Sequence, residues 1–156
     1  MNALTPLAIR IGGLPWLPRF LRQITTVDKL IQRITRGRWS LLRLAGLPGL
    51  MLTVAGRKSG LPRSTPVLFV PYGDSQLVAG SNFGGPKQPV WVVNLRAAGR
   101  ATVTVDGTSR DVVAHELAGE EREAAWAQML QTWPNYAKYA ERTSRVIPVF
   151  RLDPAR

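Results

Sequence analysis

The chain's pattern predicts an α+β fold, a small antiparallel β-barrel with helical cover. Six strand-like runs follow one another mostly as hairpins, with one helical segment inserted between strands and another before the last strand. A repeated strand–helix–strand alternation, which would build a doubly wound parallel sheet, is missing. Closing the sheet on itself would also remove exposed strand edges.

Taken in order, Leu4–Leu17 is apolar but is interrupted by Pro6, Arg10, Gly12, Gly13 and Pro15. It falls short of the ~18 uninterrupted apolar residues of a spanning helix. With no cationic start and no clean cleavage site, it does not read as a secretory signal, and the chain is expected in the cytoplasm. Arg19–Arg36 has helical spacing. Phe20, Leu21, Ile24, Val27, Ile31 and Ile34 form an apolar stripe, Arg19, Arg22, Lys29, Arg33 and Arg36 occupy the other faces, and Gly37 is the expected terminator. This helix either packs its stripe on the domain or lies on an anionic membrane surface through residues 19–36, as a peripheral protein would. Trp16 and Trp39 favour the interface.

Strand patterns begin at Leu50–Ala55 and Ser64–Pro71, either side of Gly56-Arg57-Lys58-Ser59-Gly60-Leu61-Pro62-Arg63. The turn Tyr72–Ser75 leads into a strand over Gln76–Ser81, and Lys87–Ala98 returns to helical spacing with Gly99 just beyond it. Ala101–Val105, the Asp106-Gly107 turn and Ser109–Leu117 read as a hairpin. Gly119–Trp133 is a helix with Glu120, Glu121 and Glu123 near its start, where the helix dipole favours acid. Pro134 breaks it. A short helical piece over Asn135–Arg142 and a last strand over Ile147–Leu152 complete the chain.

Charge is distributed unevenly. Of the net +11, residues 1–63 hold 11 Lys and Arg against a single acid, Asp28, whereas residues 64–156 hold ten bases against nine acids. An anionic partner for the N-terminal third follows: a membrane surface, a nucleic acid or a polyanionic small molecule. The balanced remainder argues against nucleic acid, and none is expected. The absence of cysteine removes disulfides, zinc–thiolate sites and cysteine nucleophiles. The lone His115 cannot build a multi-histidine metal site and reads as a structural or exposed residue. No metal is expected.

Candidate chemistry concentrates in three places. The basic octapeptide offers Arg57, Lys58, Arg63, the Ser59 hydroxyl and turn N–H groups, an arrangement that can hold phosphate or carboxylate and can equally be a solvated turn. Ser81-Asn82-Phe83-Gly84-Gly85-Pro86-Lys87 joins a strand to a helix, where such residues serve either the backbone or an anion. Trp133, Tyr136 and Tyr139 recur every three residues, as core or as the mouth of a site for a planar ligand. No carboxylate pair, Ser/His/Asp set, GxGxxG or P-loop spacing is present. An anion clamp beside aromatics, without acid–base machinery, points to borrowed cofactor chemistry.

Leu52-Thr53, then GRKSGLPRSTPV, then GDSQLVAGSNFGGPKQPVWVVNL, then WPNYAKYAERTSRVIPVFRLDP resemble the deazaflavin-dependent nitroreductase family over about residues 45–154. The resemblance implies a split β-barrel, like the FMN-binding barrels, over residues 45–156, behind a basic amphipathic segment over 1–44. It implies coenzyme F420, whose tail is polyanionic. Arg57, Lys58, Ser59 and Arg63 stand where the family clamps that tail. Ser64, Thr65, Pro66, Val67 and Leu68 would run beside the deazaflavin, with Ala79, Gly80, Ser81 and Asn82 along the other edge. Val90, Trp91, Val92, Val93 and Asn94 would complete the pocket. Tyr136 would cover the reactive face, Trp133 and Tyr139 would shape the substrate mouth, and Tyr136 and Ser81 are the candidate proton donors. The implied activity is hydride transfer to a quinone, an activated enone or a nitro compound. Trp133 replaces a frequent tyrosine, Asn82 a lysine of some members and Val92 a common aromatic, which bears on the acceptor more than on the coenzyme. The alternatives are the same barrel using FMN, and a non-catalytic carrier of the coenzyme or of a lipid.

Overall fold

A computed structural model describes residues 3–36 and 38–156; the expected terminator Gly37 lies outside the described residues. Three helices come first: α1 (Thr5–Gly12), α2 (Leu21–Ile34), entered through a 3-10 turn over Leu17–Phe20, and α3 (Leu41–Leu44). The sheet elements are β1 (Gly49–Ala55), β2 (Pro62–Leu68), β3 (Val70–Tyr72), β4 (Ser75–Ala79), β5 (Arg100–Val105), β6 (Thr108–Glu116) and β7 (Val149–Pro154). Helix α4 (Val90–Ala98) sits between β4 and β5, and α5 (Gly119–Thr132) and α6 (Asn135–Arg142) precede β7.

The strands form one antiparallel sheet in the order β2-β1-β5-β6-β7-β4-β3, curled into the half-barrel expected from the sequence. Seven strands replace the expected six. The run read as Ser64–Pro71 breaks at Phe69: its N–H makes the last bond to the β1 side, donating to the Pro48 carbonyl one position past the Gly49–Leu68 pair, and from Val70 the chain pairs with β4 instead. The chain leaves one open edge of the sheet as β2 and returns as the other edge, β3.

Alternation fixes the register. Leu50, Leu52 and Val54 of β1 turn inward while their neighbours stay partly exposed. At Asp106-Gly107 both residues take positive φ, 51° and 82°, the condition a two-residue hairpin imposes. Both faces of the sheet are covered. Val78, Phe150 and Leu152 pack with Val92 and Leu95 of α4 inside the curl, while Leu77, Ala79 and Val149 meet Met129, Trp133, Tyr136 and Tyr139 of the α5–α6 region on the other side. Helix α4 starts at Val90, later than the expected Lys87, because extended Pro89 caps it. His115, on β6, is half exposed with Nε2 3.3 Å from Asp153 Oδ2.

The N-terminal segment departs most from expectation. Helix α1 and the short α3 were not apparent in the sequence pattern. The apolar stripe is split: Phe20, Val27 and Ile34 face outward, 48%, 49% and 73% exposed, while Leu21, Ile24 and Ile31 are partly covered and Asp28 and Gln32 are only 4% and 7% exposed. Polar anchoring outweighs hydropathy here. Asp28 Oδ1 accepts the Leu41 N–H at 2.6 Å and Oδ2 accepts Gln32 Nε2 at 3.1 Å, so the carboxyl ties α2 to α3. Among the described residues, no helix is long and apolar enough to cross a membrane.

Candidate functional site

The β1–β2 hairpin is closed by its own backbone. Gly56 N–H donates to Leu61 O at 2.8 Å, Gly60 N–H to Gly56 O at 2.7 Å, and Gly60 takes φ 70°. The left-handed backbone at Gly60 is the conformation glycine adopts without a side-chain penalty, and it makes the tight return. From α4, buried Asn94 accepts the Arg57 N–H on Oδ1 at 3.1 Å and fixes the hairpin against the helix. Thr53 Oγ1 and Ser64 Oγ, 2.8 Å apart, join the strands behind it.

This hairpin walls an open groove of about 850 Å³ whose lining includes Ser59, Ser64, Thr65, Val90, Trp91 and Asn94. Four cations face it: Arg57, Lys58 and Arg63, and Lys29 from α2. No carboxylate lines it, and none of the four cations is ion-paired with a described residue. Like charges gathered without counterions repel one another and favour an anion between them. Lys29 was read from the sequence only as helix charge; its place at the groove depends on how α2 lies across the barrel.

A narrower, mainly apolar slot of about 240 Å³ adjoins the groove, sharing Thr65 and Trp91 with it. One wall is Thr65, Pro66, Val67 and Leu68 of β2, and others come from Ala79, Ser81, Asn82, Trp133, Tyr136 and Tyr139. Leu21, Ile24, Thr25 and Asp28 of α2 and Leu41 and Leu42 of α3 roof it. These roof residues had no sequence signal beyond amphipathicity. Gly80, Val92 and Val93 line neither space. Val92 is fully buried in the barrel core, and Gly80 packs against it, where a Cβ would fall 2.5 Å from Val92 Cγ2.

The hydroxyls around the slot differ in their commitments. Tyr139 Oη donates to Gly12 O at 2.7 Å and accepts Trp133 Nε1 at 3.3 Å, which locks both aromatics to α1. Burial pushes the Tyr139 phenol up to about 12. Tyr136 is 3% exposed, packed against Trp126 with ring centroids 5.5 Å apart and planes tilted by 40°, and burial pushes its phenol further upward. Neither Tyr136 Oη nor Ser81 Oγ is hydrogen-bonded to a described residue. Asp28 brings the slot's carboxyl, which burial holds above the ordinary aspartate range against the opposing hydrogen bonds from Leu41 and Gln32.

The residues present fit a ligand with a polyanionic end and a flat apolar end. Four unpaired cations serve the first, and the strand wall and aromatics of the adjoining slot serve the second.

Comparison with known proteins agrees. The family model described as F420H(2)-dependent quinone reductase matches residues 26–154. An F420H(2)-dependent quinone reductase of Mycobacterium tuberculosis (strain ATCC 25618 / H37Rv) is 31% identical over 141 residues, covering 88% of this chain and 95% of the relative. A solved F420-H2 dependent reductase superposes with a TM-score of 0.63 at 36% identity, over 68% of this chain and 94% of that one. A chain solved as a domain-swapped dimer superposes with a TM-score of 0.67 at 33% identity, over 81% and 96%.

Fold and site together define a split-barrel oxidoreductase. The chain belongs to the F420H(2)-dependent quinone reductase family, with coenzyme F420 as its redox partner.

Proposed function

We propose that Arg57, Lys58, Arg63 and Lys29 seat the polyanionic tail of the reduced coenzyme, and that the slot presents a quinone to its ring; an activated enone or a nitro compound is a further acceptor. When bound, the deazaflavin supplies a hydride. The protein's own contribution is placement and a proton. Ser59 and Ser64 add hydroxyl contacts near the tail, and the β2 wall from Thr65 to Leu68 with Ala79 and Trp91 confines a planar group. Holding donor and acceptor in reactive proximity is worth as much as ~7–11 kcal/mol in favourable cases. Ser81 and Tyr136 offer hydroxyls not spent on other described groups, and either can give the proton that completes quinone reduction. The observation that carries this reading is the continuity of groove and slot at Thr65 and Trp91. Titrating the protein with oxidised F420 and with FMN, followed by reduced-coenzyme oxidation against a quinone panel, tests it. Binding of neither compound at micromolar concentration, or binding of F420 with no turnover of any acceptor, overturns the enzyme reading; the second result would mark a carrier.

Residues 1–44 act as a roof at an anionic membrane surface and residues 45–156 as the coenzyme-binding barrel, with the protein in the cytoplasm. What supports this is the exposure of Leu7, Trp16, Phe20, Val27 and Ile34 on a segment that also exposes Arg22 and Arg33. The same helix roofs the slot, so an acceptor dissolved in lipid would meet the site from that side. Sedimentation with anionic liposomes is expected to retain the wild type and release Val27→Glu with Ile34→Glu. Equal recovery of both proteins in the supernatant rules the membrane reading out.

A further inference from the structure

The segment from Gly80 to Gly85 carries Ser81, Asn82 and Phe83 into the slot, and its backbone is unusual. Asn82, Phe83 and Gly84 are consecutive residues at φ 47°, 53° and 77°. Asparagine tolerates this region but the Phe83 side chain disfavours it, so surrounding contacts must hold the conformation. Arg145, in the stretch between α6 and β7, supplies three of those contacts. Its Nη1 donates to Gly80 O at 3.0 Å, its Nη2 to Ser81 O at 2.8 Å and its Nε to Gly85 O at 3.1 Å. One planar fork thereby spans both ends of the segment. Arg142 adds a bond from Nη1 to Phe83 O at 3.3 Å and another to Gly13 O. Arg145 has no carboxylate partner among the described residues, so its donors serve the loop rather than an ion pair. The shape of the fork matters: a lysine ammonium cannot reach three carbonyls in this geometry.

We infer that Arg145 is a positioning residue for the slot: its guanidinium fixes the backbone of residues 80–85 and thereby sets where Ser81, Asn82 and Phe83 meet the acceptor. The inference rests on the slot being the acceptor site. It separates this loop from the cationic groove, which is built on a different hairpin. Loss of the guanidinium therefore disturbs acceptor handling while leaving tail binding in place.

Arg145→Lys and Arg145→Ala test this in two ways. In the ligand-free protein, hydrogen exchange is measured at the Gly84 and Gly85 N–H groups, which donate to Ser81 O and Asn82 O at 2.9 Å each. Both variants are expected to accelerate exchange there while leaving the Gly56 and Gly60 amides unchanged. In steady-state assays with a quinone, kcat/KM is expected to fall about 10–100-fold, the scale of a misplaced reacting group, with the dissociation constant of F420 within about threefold of wild type. Methylguanidinium added to Arg145→Ala is expected to restore part of kcat, which a general loss of stability would not permit.

Unchanged exchange at Gly84 and Gly85, or accelerated exchange with wild-type kinetics for Arg145→Lys, overturns the proposal. So does acceleration spread evenly through the β1–β2 hairpin. Localised acceleration in a protein whose wild type reduces no quinone leaves the loop role standing and overturns the quinone reading instead.

Discussion

Gly12 lies so close against Trp133 that a Cβ at that position would fall 2.4 Å from Trp133 Cζ2 and 2.7 Å from Cη2. The same glycine's carbonyl accepts the Tyr139 hydroxyl. The end of α1 is thus fitted to the aromatic wall of the slot by both its missing side chain and its backbone oxygen. Gly12→Ala must push the indole or lift the helix, and a loss of about 1–3 kcal/mol is expected, the usual cost of overpacking. Urea denaturation measures it. Tyr139→Phe removes the hydrogen bond without the clash and is expected to cost less, about 1 kcal/mol.

The cationic groove predicts a difference between coenzymes. Arg57→Ala with Lys58→Ala is expected to weaken F420 binding about 10–100-fold, one to two steps of ~1.4 kcal/mol, and to change FMN binding little because FMN lacks the long anionic tail. Lys29→Ala, on a different element, should act in the same direction with a smaller effect. Fluorescence titration at two salt concentrations checks both, since exposed charges lose influence as salt rises. Equal losses for the two coenzymes would move the tail elsewhere.

Asp28 predicts a pH signature. Burial raises its carboxyl in the folded protein above the ordinary value, so the folded state holds this proton more tightly than the unfolded chain. The group therefore favours folding fully below the unfolded pKa of about 3.9, and that advantage is lost as pH rises through the folded value. Asp28→Asn has no such proton, so its stability relative to wild type should improve as pH rises from about 4 towards 7. Urea midpoints for both proteins across that range give the result. Parallel curves would show that the hydrogen bonds from Leu41 and Gln32 cancel the burial.

The buried phenols predict a second one. With Tyr139 pushed up to about 12 and Tyr136 raised as well, neither should ionise at the pH of an ordinary tyrosine, about 10. Ultraviolet absorbance at alkaline pH should show two phenols delayed until the protein unfolds. Their contribution to stability is whole below about pH 10 and is lost as pH climbs through the raised values. A quinone-reduction profile taken between pH 6 and 9 should then carry no tyrosine inflection. Within that range, Tyr136→Phe is expected to lower kcat more than it raises KM if the phenol gives the proton.

The parts of this molecule legible in the sequence were those that depend on neighbours along the chain. The Gly56–Arg63 turn and the Asp106-Gly107 hairpin are local rules, and the structure follows them. The break at Phe69 was hidden because it is a change of pairing partner, from β1 to β4, which no strand pattern records. The orientation of α2 was hidden for a similar reason: hydropathy left its apolar stripe open between packing on the domain and lying at an interface, and the bond that the Leu41 N–H donates to Asp28 joins residues thirteen apart. At the site, Arg57 and Lys58 announced themselves by clustering. Lys29 and Arg145 are single cations whose roles exist only once the chain has folded. Gly12 and Gly13 read in the sequence only as interruptions of an apolar run, because the partner of Gly12, Trp133, lies far away along the chain.

The bend at Phe69 has a consequence for the breadth of acceptors. Leu68, just before it, stands on one side of the slot, and Ala79 stands on β4, which pairs with β3 just after it. Each side is also held by a ladder of its own, Leu68 on β1 and Ala79 on β7, so the width of the slit is set by two separate pairings as well as by the corner between them. A change at the corner alone leaves that width in place, and a shift from slender to bulky electron acceptors calls for substitutions among the residues that touch them.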